Sequence, residues 1–240
     1  MPLKLSPHSV ATFRHCKQQY KFQYIDKIGN QFFRSKPYFT MGNHVHATLK
    51  DFFSMVPVES RTLEASEQLL HKNWQKCRWG FRNAEDEKRW VEKAKGQLER
   101  FLSSQDITVT PAMLEESLET QITVGVILRG RIDRVDRETD GSFHIIDYKT
   151  GNLPDDINWS QLQMYALMLS RKLAMPVRKA SFHYLAPGVV CTTNFSSNEL
   201  DQACWDLLVT ANQIVTEKLF SPNPGEGCKR CDFKPICSAL

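Results

Sequence analysis

At 240 residues, with 41% hydrophobic and 24% charged residues, the chain can bury one substantial core and has neither a disordered nor a fibrous composition. No apolar run nears the roughly 18 residues of a membrane span, and the opening MPLKLSPHSVATFRHC lacks the apolar stretch and cleavage site of a secretory signal, so a cytoplasmic protein with no membrane role is expected. The net charge of +4 permits a polyanionic partner without requiring one, and seven cysteines without an export signal argue against a disulfide framework.

From Ser9 to Ile28, Phe13, Tyr20, Phe22 and Tyr24 lie among polar and basic residues behind the start signal Ser6-Pro7, which predicts mostly helix. After the Gly29-Asn30 break a second helix is expected over Phe39 to Phe53, with Val45, Leu49, Phe52 and Phe53 at helical spacing and His44 and His46 among them. The stretch from Arg61 to Ser104 has the composition of a helical insertion. Its Trp74, Trp79 and Trp90 are either core aromatics or a stacking surface for single-stranded DNA. β-Branched residues dominate from Met113 to Tyr148, and the turn at Asp140-Gly141 splits VILRGRIDRVDR from FHIIDYK, the pattern of a hairpin or meander. A helix over Trp159 to Lys172, a strand over Ala180 to Leu185 and a last helix from Ser197 to Leu219 follow. The tail from Ser221 is rich in Pro and Gly and ends in three cysteines. There is no internal repeat and no Walker A sequence, so any helicase acting with this chain is a separate partner.

Strand period two puts Asp147 and Lys149 on one face and Tyr148 on the other, while the neighbouring strand carries Asp133. Asp-x-Lys alone is often an exposed pair at a strand end. Here Asp147 closes the apolar run His144-Ile145-Ile146, where an unpaired charge is costly unless it meets a partner or a metal. Phosphodiester hydrolysis needs a neutralised phosphate and a deprotonated water, which carboxylate-bound Mg²⁺ or Mn²⁺ supplies, with a lysine stabilising the developing charge. Gln161 and Tyr165, four apart, share a helical face, either as site groups or as part of an ordinary amphipathic helix. His44, two positions from His46, points to roughly the opposite side of its helix. Cys228, Cys231 and Cys237 form C-x₂-C-x₅-C, which can wrap three thiolates around one centre. This spacing does not separate zinc from an iron–sulfur cluster. Cys77, Cys191 and Cys204 are read as buried or incidental thiols.

From Gly130 to Tyr165 the series G-x-I-D-R-V-D, I-I-D-Y-K-T-G and Q-L-x-x-Y resembles the core of the RecB-like nucleases in the PD-(D/E)XK superfamily. The resemblance implies an α/β fold with a restriction-endonuclease-like core, a central mixed β-sheet flanked by helices. It implies Asp133 and Asp147 as metal ligands, Lys149 as the catalytic lysine, and the Tyr148 backbone carbonyl as a further ligand. The segment G-N-H-V-H-A-T-L resembles the family helix G-x-x-V-H-x-x-L, which maps the metal-binding histidine onto His46. Gln161 and Tyr165 correspond to the Q-x-x-x-Y motif. Glu115 matches an upstream acidic position, with Glu116 and Glu119 as competitors. The N-terminal pattern S-x-x-x-F-x-x-C-x-x-x-Y-x-F-x-Y resembles the segment that provides the first cysteine in iron–sulfur members, the branch that includes CRISPR-adaptation nucleases. The resemblance thus implies that Cys16, Cys228, Cys231 and Cys237 hold a [4Fe–4S] cluster joining the chain ends, with Zn²⁺ as the alternative. Lys17 stands where the family usually has proline.

The expectation is a single nuclease domain over residues 1–240, with a helical insertion near 61–104 and a cluster module of residue 16 with 228–237. Its activity is expected to be Mg²⁺- or Mn²⁺-dependent hydrolysis of DNA, as an exonuclease on single strands or ends, in repair, recombination or CRISPR adaptation. A separate helicase or adaptation protein is the expected partner. The alternative is a non-catalytic nucleic-acid-binding or assembly subunit.

Overall fold

The computed structural model describes residues 2–239. In chain order the elements are β1 (Leu3–Leu5), α1 (Pro7–His15), α2 (Lys17–Tyr20), α3 (Gly29–Phe32), α4 (Pro37–Met55), α5 (Leu63–Trp74), α6 (Ala84–Ser104), β2 (Met113–Thr123), β3 (Val126–Arg137), β4 (Phe143–Lys149), α7 (Ser160–Leu173), β5 (Lys179–Tyr184), β6 (Val189–Asn194) and α8 (Ser197–Thr216). They fall into two compact units. One holds the segments up to Arg34, Glu119–Gly130 and from Ser197 onward; the other holds Ser35–Leu118 and Arg131–Ser196.

The second unit carries the pattern read between Met113 and Tyr148. Strand β3 pairs antiparallel with β4, Arg134 opposite Ile146 and Arg137 opposite Phe143. Strand β4 pairs parallel with β5, and β5 antiparallel with β6, so the sheet is mixed. Helix α4 begins two residues before Phe39 because Pro37 occupies its first turn, where a missing N–H costs nothing. Its buried face of Met41, Val45, Leu49 and Phe52 packs with Leu70, Leu98, Phe101, Ile146 and Tyr148. Each such fully buried side chain contributes about 1.5–3 kcal/mol. The stretch from Arg61 to Ser104 is two helices, α5 and α6, separated by a loop over 75–83. Arg61 is buried and donates to the carbonyls of Phe53, Val56, Ile107 and Val109, which ties the end of α4 to the segment leading into β2.

In the first unit, β1 lies parallel to the opening of β3, Leu3 opposite Val126. The expected helix over 9–28 starts at Pro7 behind a Ser6 cap and breaks at Cys16, whose backbone is extended; α2 then runs into one π-helical turn over Lys21–Ile25. The last helix stops at Thr216, short of Leu219, which is exposed. Among the described residues no helix is long and apolar enough to cross a membrane.

Candidate active site

The site is built where α4 passes the ends of β3 and β4. Gly42 brings the helix in: a Cβ there would stand 3.1 Å from Thr150 Oγ1, just beyond the end of β4. One turn later, His46 Nδ1 lies 3.3 Å from Asp133 Oδ1. The other Asp133 oxygen accepts the Tyr148 backbone N–H at 2.8 Å, which fixes the carboxylate across the β3–β4 ladder. The register that sets Arg134 opposite Ile146 brings Asp133 alongside Asp147.

Asp147, Lys149, Gln161 and Tyr165 meet as one network. Lys149 Nζ donates to Gln161 Oε1 at 2.7 Å and stands 2.6 Å from Asp147 Oδ2. The Gln161 amide donates to Asp147 Oδ1 at 2.7 Å and to the Tyr165 hydroxyl at 3.1 Å, so both ends of the amide are oriented. Asp147 Oδ2 is buried, and the Lys149 ammonium is the charge that meets it. Asp133 and Asp147 are 7% and 3% exposed. Burial, then the like charge of Asp133, pushes the Asp147 carboxyl up to about 6. His46 is raised as well: burial opposes its charged form, but Asp133, Asp147 and Glu115 outweigh that.

Of the three glutamates competing for the upstream acidic position, the structure brings Glu115 to this place. Its carboxylate, the Asp133 carboxylate and a His46 ring nitrogen all lie within 4.8 Å of one another. Its backbone stands at φ +50°, the left-handed region that a strand residue other than glycine rarely adopts. That kink turns the side chain inward, where burial, then the charge of Asp133, raises its pKa, with Arg131 at 2.7 Å in partial opposition. Glu116 pairs instead with Lys172, and Glu119 with Lys4. No periodicity in the sequence marks a single reversed φ, which is why three glutamates competed.

His44 is away from this network, as its spacing from His46 predicts. It is buried, with Nε2 2.6 Å from the Cys77 carbonyl and its ring against Trp74. The three tryptophans separate: Trp74 is buried, Trp90 is half-buried, and Trp79 is exposed.

In the other unit Cys16, Cys228, Cys231 and Cys237 line one cleft with His15, Gln18 and Phe233. All four are half-buried and none is in a disulfide. Burial, then the neighbouring Cys16, Cys237 and Cys228, raises the Cys231 thiol. The Gly225 N–H points at Cys228 Sγ, 3.4 Å away, and the Cys237 thiol donates to Gln18 Oε1 at 3.0 Å.

A mixed sheet whose adjoining strands deliver two buried carboxylates and a lysine beside a helical histidine is a nuclease-like α/β core. The model of the PD-(D/E)XK nuclease superfamily matches residues 4–238, and the chain belongs to that superfamily. It is 25% identical over 159 residues to one of the subunits of the ATP-dependent helicase/deoxyribonuclease of Streptococcus agalactiae, a match covering 65% of this chain and 15% of that protein. It is 28% identical over 156 residues to the Gene 69 protein of Mycobacterium phage D29, covering 59% and 56%. A solved candidate exonuclease from Eubacterium rectale shares the fold at a TM-score of 0.60 and 12% identity, over 95% of this chain and 86% of that one.

Proposed function

We propose that this protein is a divalent-metal-dependent deoxyribonuclease acting on single strands or DNA ends. The observation that carries the reading is the convergence of His46, Glu115 and Asp133 beside the Asp147–Lys149–Gln161 network. A site of two or three carboxylates and one imidazole suits Mg²⁺ or Mn²⁺. His46, Asp133, Asp147 and the Tyr148 carbonyl, joined by Glu115, would hold the ion, which when bound supplies charge neutralisation at the phosphate and a more acidic water. Lys149, aimed by Gln161 and Asp147, stabilises the charge that builds on the phosphate. Gln161 and Tyr165 position it. The Tyr165 phenol, its pKa raised by burial and then by Asp147, serves as the protonated anchor of that network.

The four-cysteine cleft, in this reading, holds a [4Fe–4S] cluster, with a single Zn²⁺ as the alternative occupant. Four half-buried thiols line one cleft, one with an N–H directed at it, and thiolate is the donor either centre takes. All 240 residues then serve one nuclease module, with a separate helicase or adaptation protein supplying unwound DNA. The name of the streptococcal relative supports the helicase.

The test is product analysis on end-labelled single strands with Mn²⁺. The wild-type protein cleaves, and Asp133→Ala and Lys149→Ala each lower the rate by about 10²–10³ while circular dichroism stays unchanged. Undiminished cleavage in both variants would sink the assignment, and a wild-type protein that shifts DNA without cutting it would favour a binding subunit.

A further inference from the structure

The loop over 75–83 holds an indole out in solvent. Trp79 is 69% exposed, yet its neighbourhood is tightly built. Thr40 Oγ1 donates to the Trp79 carbonyl at 2.7 Å, and His44 Nε2 meets the Cys77 carbonyl at 2.6 Å. Gly80, at φ +89°, runs so close to the chain at Ser35 and Lys36 that a Cβ would stand 2.9 Å from their backbone carbons. Three restraints from α4 and its lead-in therefore fix a loop whose largest apolar side chain is left uncovered. Beside it at the start of α4, Tyr38 and Phe39 are each 45% exposed, their ring centroids 4.5 Å apart.

The cleft lined by the chain neighbours of these aromatics is basic. Pro37, Gly80, Arg82, Arg89, Trp90 and Lys93, together with Asp86, line about 470 Å³. Arg82 and Arg89 grip the Asp86 carboxylate at 3.1 and 3.2 Å, but their side chains remain 76% and 60% exposed, with guanidinium donors to spare. Lys93 Nζ lies 4.3 Å from the Trp90 ring centroid. Three cations stand against one carboxylate in this lining, and its Gly80 and Pro37 are the chain neighbours of Trp79 and Tyr38.

We infer that this surface binds single-stranded nucleic acid, with unpaired bases stacking on Trp79 and the Tyr38–Phe39 pair and phosphates meeting Arg82, Arg89 and Lys93. An apolar partner would suit the rings but not the cations, and duplex DNA would offer phosphates but keep its bases stacked on each other. The same helix carries the surface and His46: Tyr38 and His46 are eight residues apart, about 12 Å along the axis. A strand held here thus has only a few nucleotides to travel to the carboxylates. The inference rests on the nuclease reading for its choice of polymer, but its test needs no cleavage.

The experiment measures binding of labelled oligothymidylate, and of a duplex of equal length, to the full chain in EDTA. Trp79→Ala weakens oligothymidylate binding about tenfold or more, leaves duplex binding within twofold, and is largely rescued by Trp79→Phe. Lys93→Gln flattens the dependence of log affinity on log salt by about one unit. The inference is overturned if Trp79→Ala binds oligothymidylate within twofold of wild type, if it weakens single strand and duplex alike, or if polyglutamate competes as well as oligothymidylate. The outcomes for the two readings separate: a protein that loses strand binding on Trp79→Ala but never cleaves retains the surface and removes the nuclease.

Discussion

Asp147 is the side chain under the heaviest electrostatic load. Burial and the neighbouring Asp133 raise its carboxyl to about 6, above the value of the unfolded chain. A raised carboxyl favours folding fully only below the unfolded pKa, and that advantage disappears as pH rises from about 4 to 6. The metal-free protein therefore carries a penalty at neutral pH. Urea denaturation in EDTA should find Asp147→Asn more stable than wild type by about 1–3 kcal/mol at pH 8, with the gain gone near pH 4. Equal stability at pH 8 would show that the carboxyl is not raised. At this scale the alternation of β4 and the i, i+4 spacing in α7 were legible, because Asp147 with Lys149, and Gln161 with Tyr165, obey regular periods. The place of Glu115 was not, because it depends on one backbone dihedral.

Among the elements, β5 supplies the test of the covered sheet face. His183 packs on Tyr148 and Phe101, with ring centroids 6.0 and 6.1 Å away, and its Nδ1 is buried without a hydrogen-bond partner. Burial, then the charge of Arg134, pushes its pKa down to about 3. The native state then refuses a proton that the unfolded chain accepts, so stability is lost as pH falls through about 6.5 toward 3, by up to about 1.4 kcal/mol per unit. His183→Phe should flatten that acid limb in urea titrations between pH 7 and 4; parallel curves for variant and wild type would refute the assignment. Helix α4 declared itself through period and the stretch holding α5 and α6 through composition, whereas β1, with three residues, and β6, with a mostly exposed alternation, fell below what a pattern can register. The break inside the stretch from Arg61 to Ser104 lies at Gly80, whose φ of +89° leaves the helix, and at Asn83, whose side chain caps α6; a composition taken over the whole stretch registers neither.

For the molecule as a whole, the cysteine cleft gives the prediction. Cys231→Ser should emerge from anaerobic purification without its metal, and its segment from Ser221 onward should be cut sooner in limited proteolysis, while elemental analysis of the wild type decides between iron and zinc. Wild-type protein with neither metal would remove the centre from the proposal. The same unit draws its chain from the segments up to Arg34 and from Ser197 onward, together with Glu119–Gly130. Synthesis runs from N- to C-terminus and folded units close as their parts leave the ribosome. The unit with the carboxylates has all its segments by Ser196, while the one with the thiols must wait for the segment from Ser197 onward. In the proposed four-thiol centre Cys16 is thus made first, and it stays an unmatched thiol until the stretch from Cys228 to Cys237 has been made.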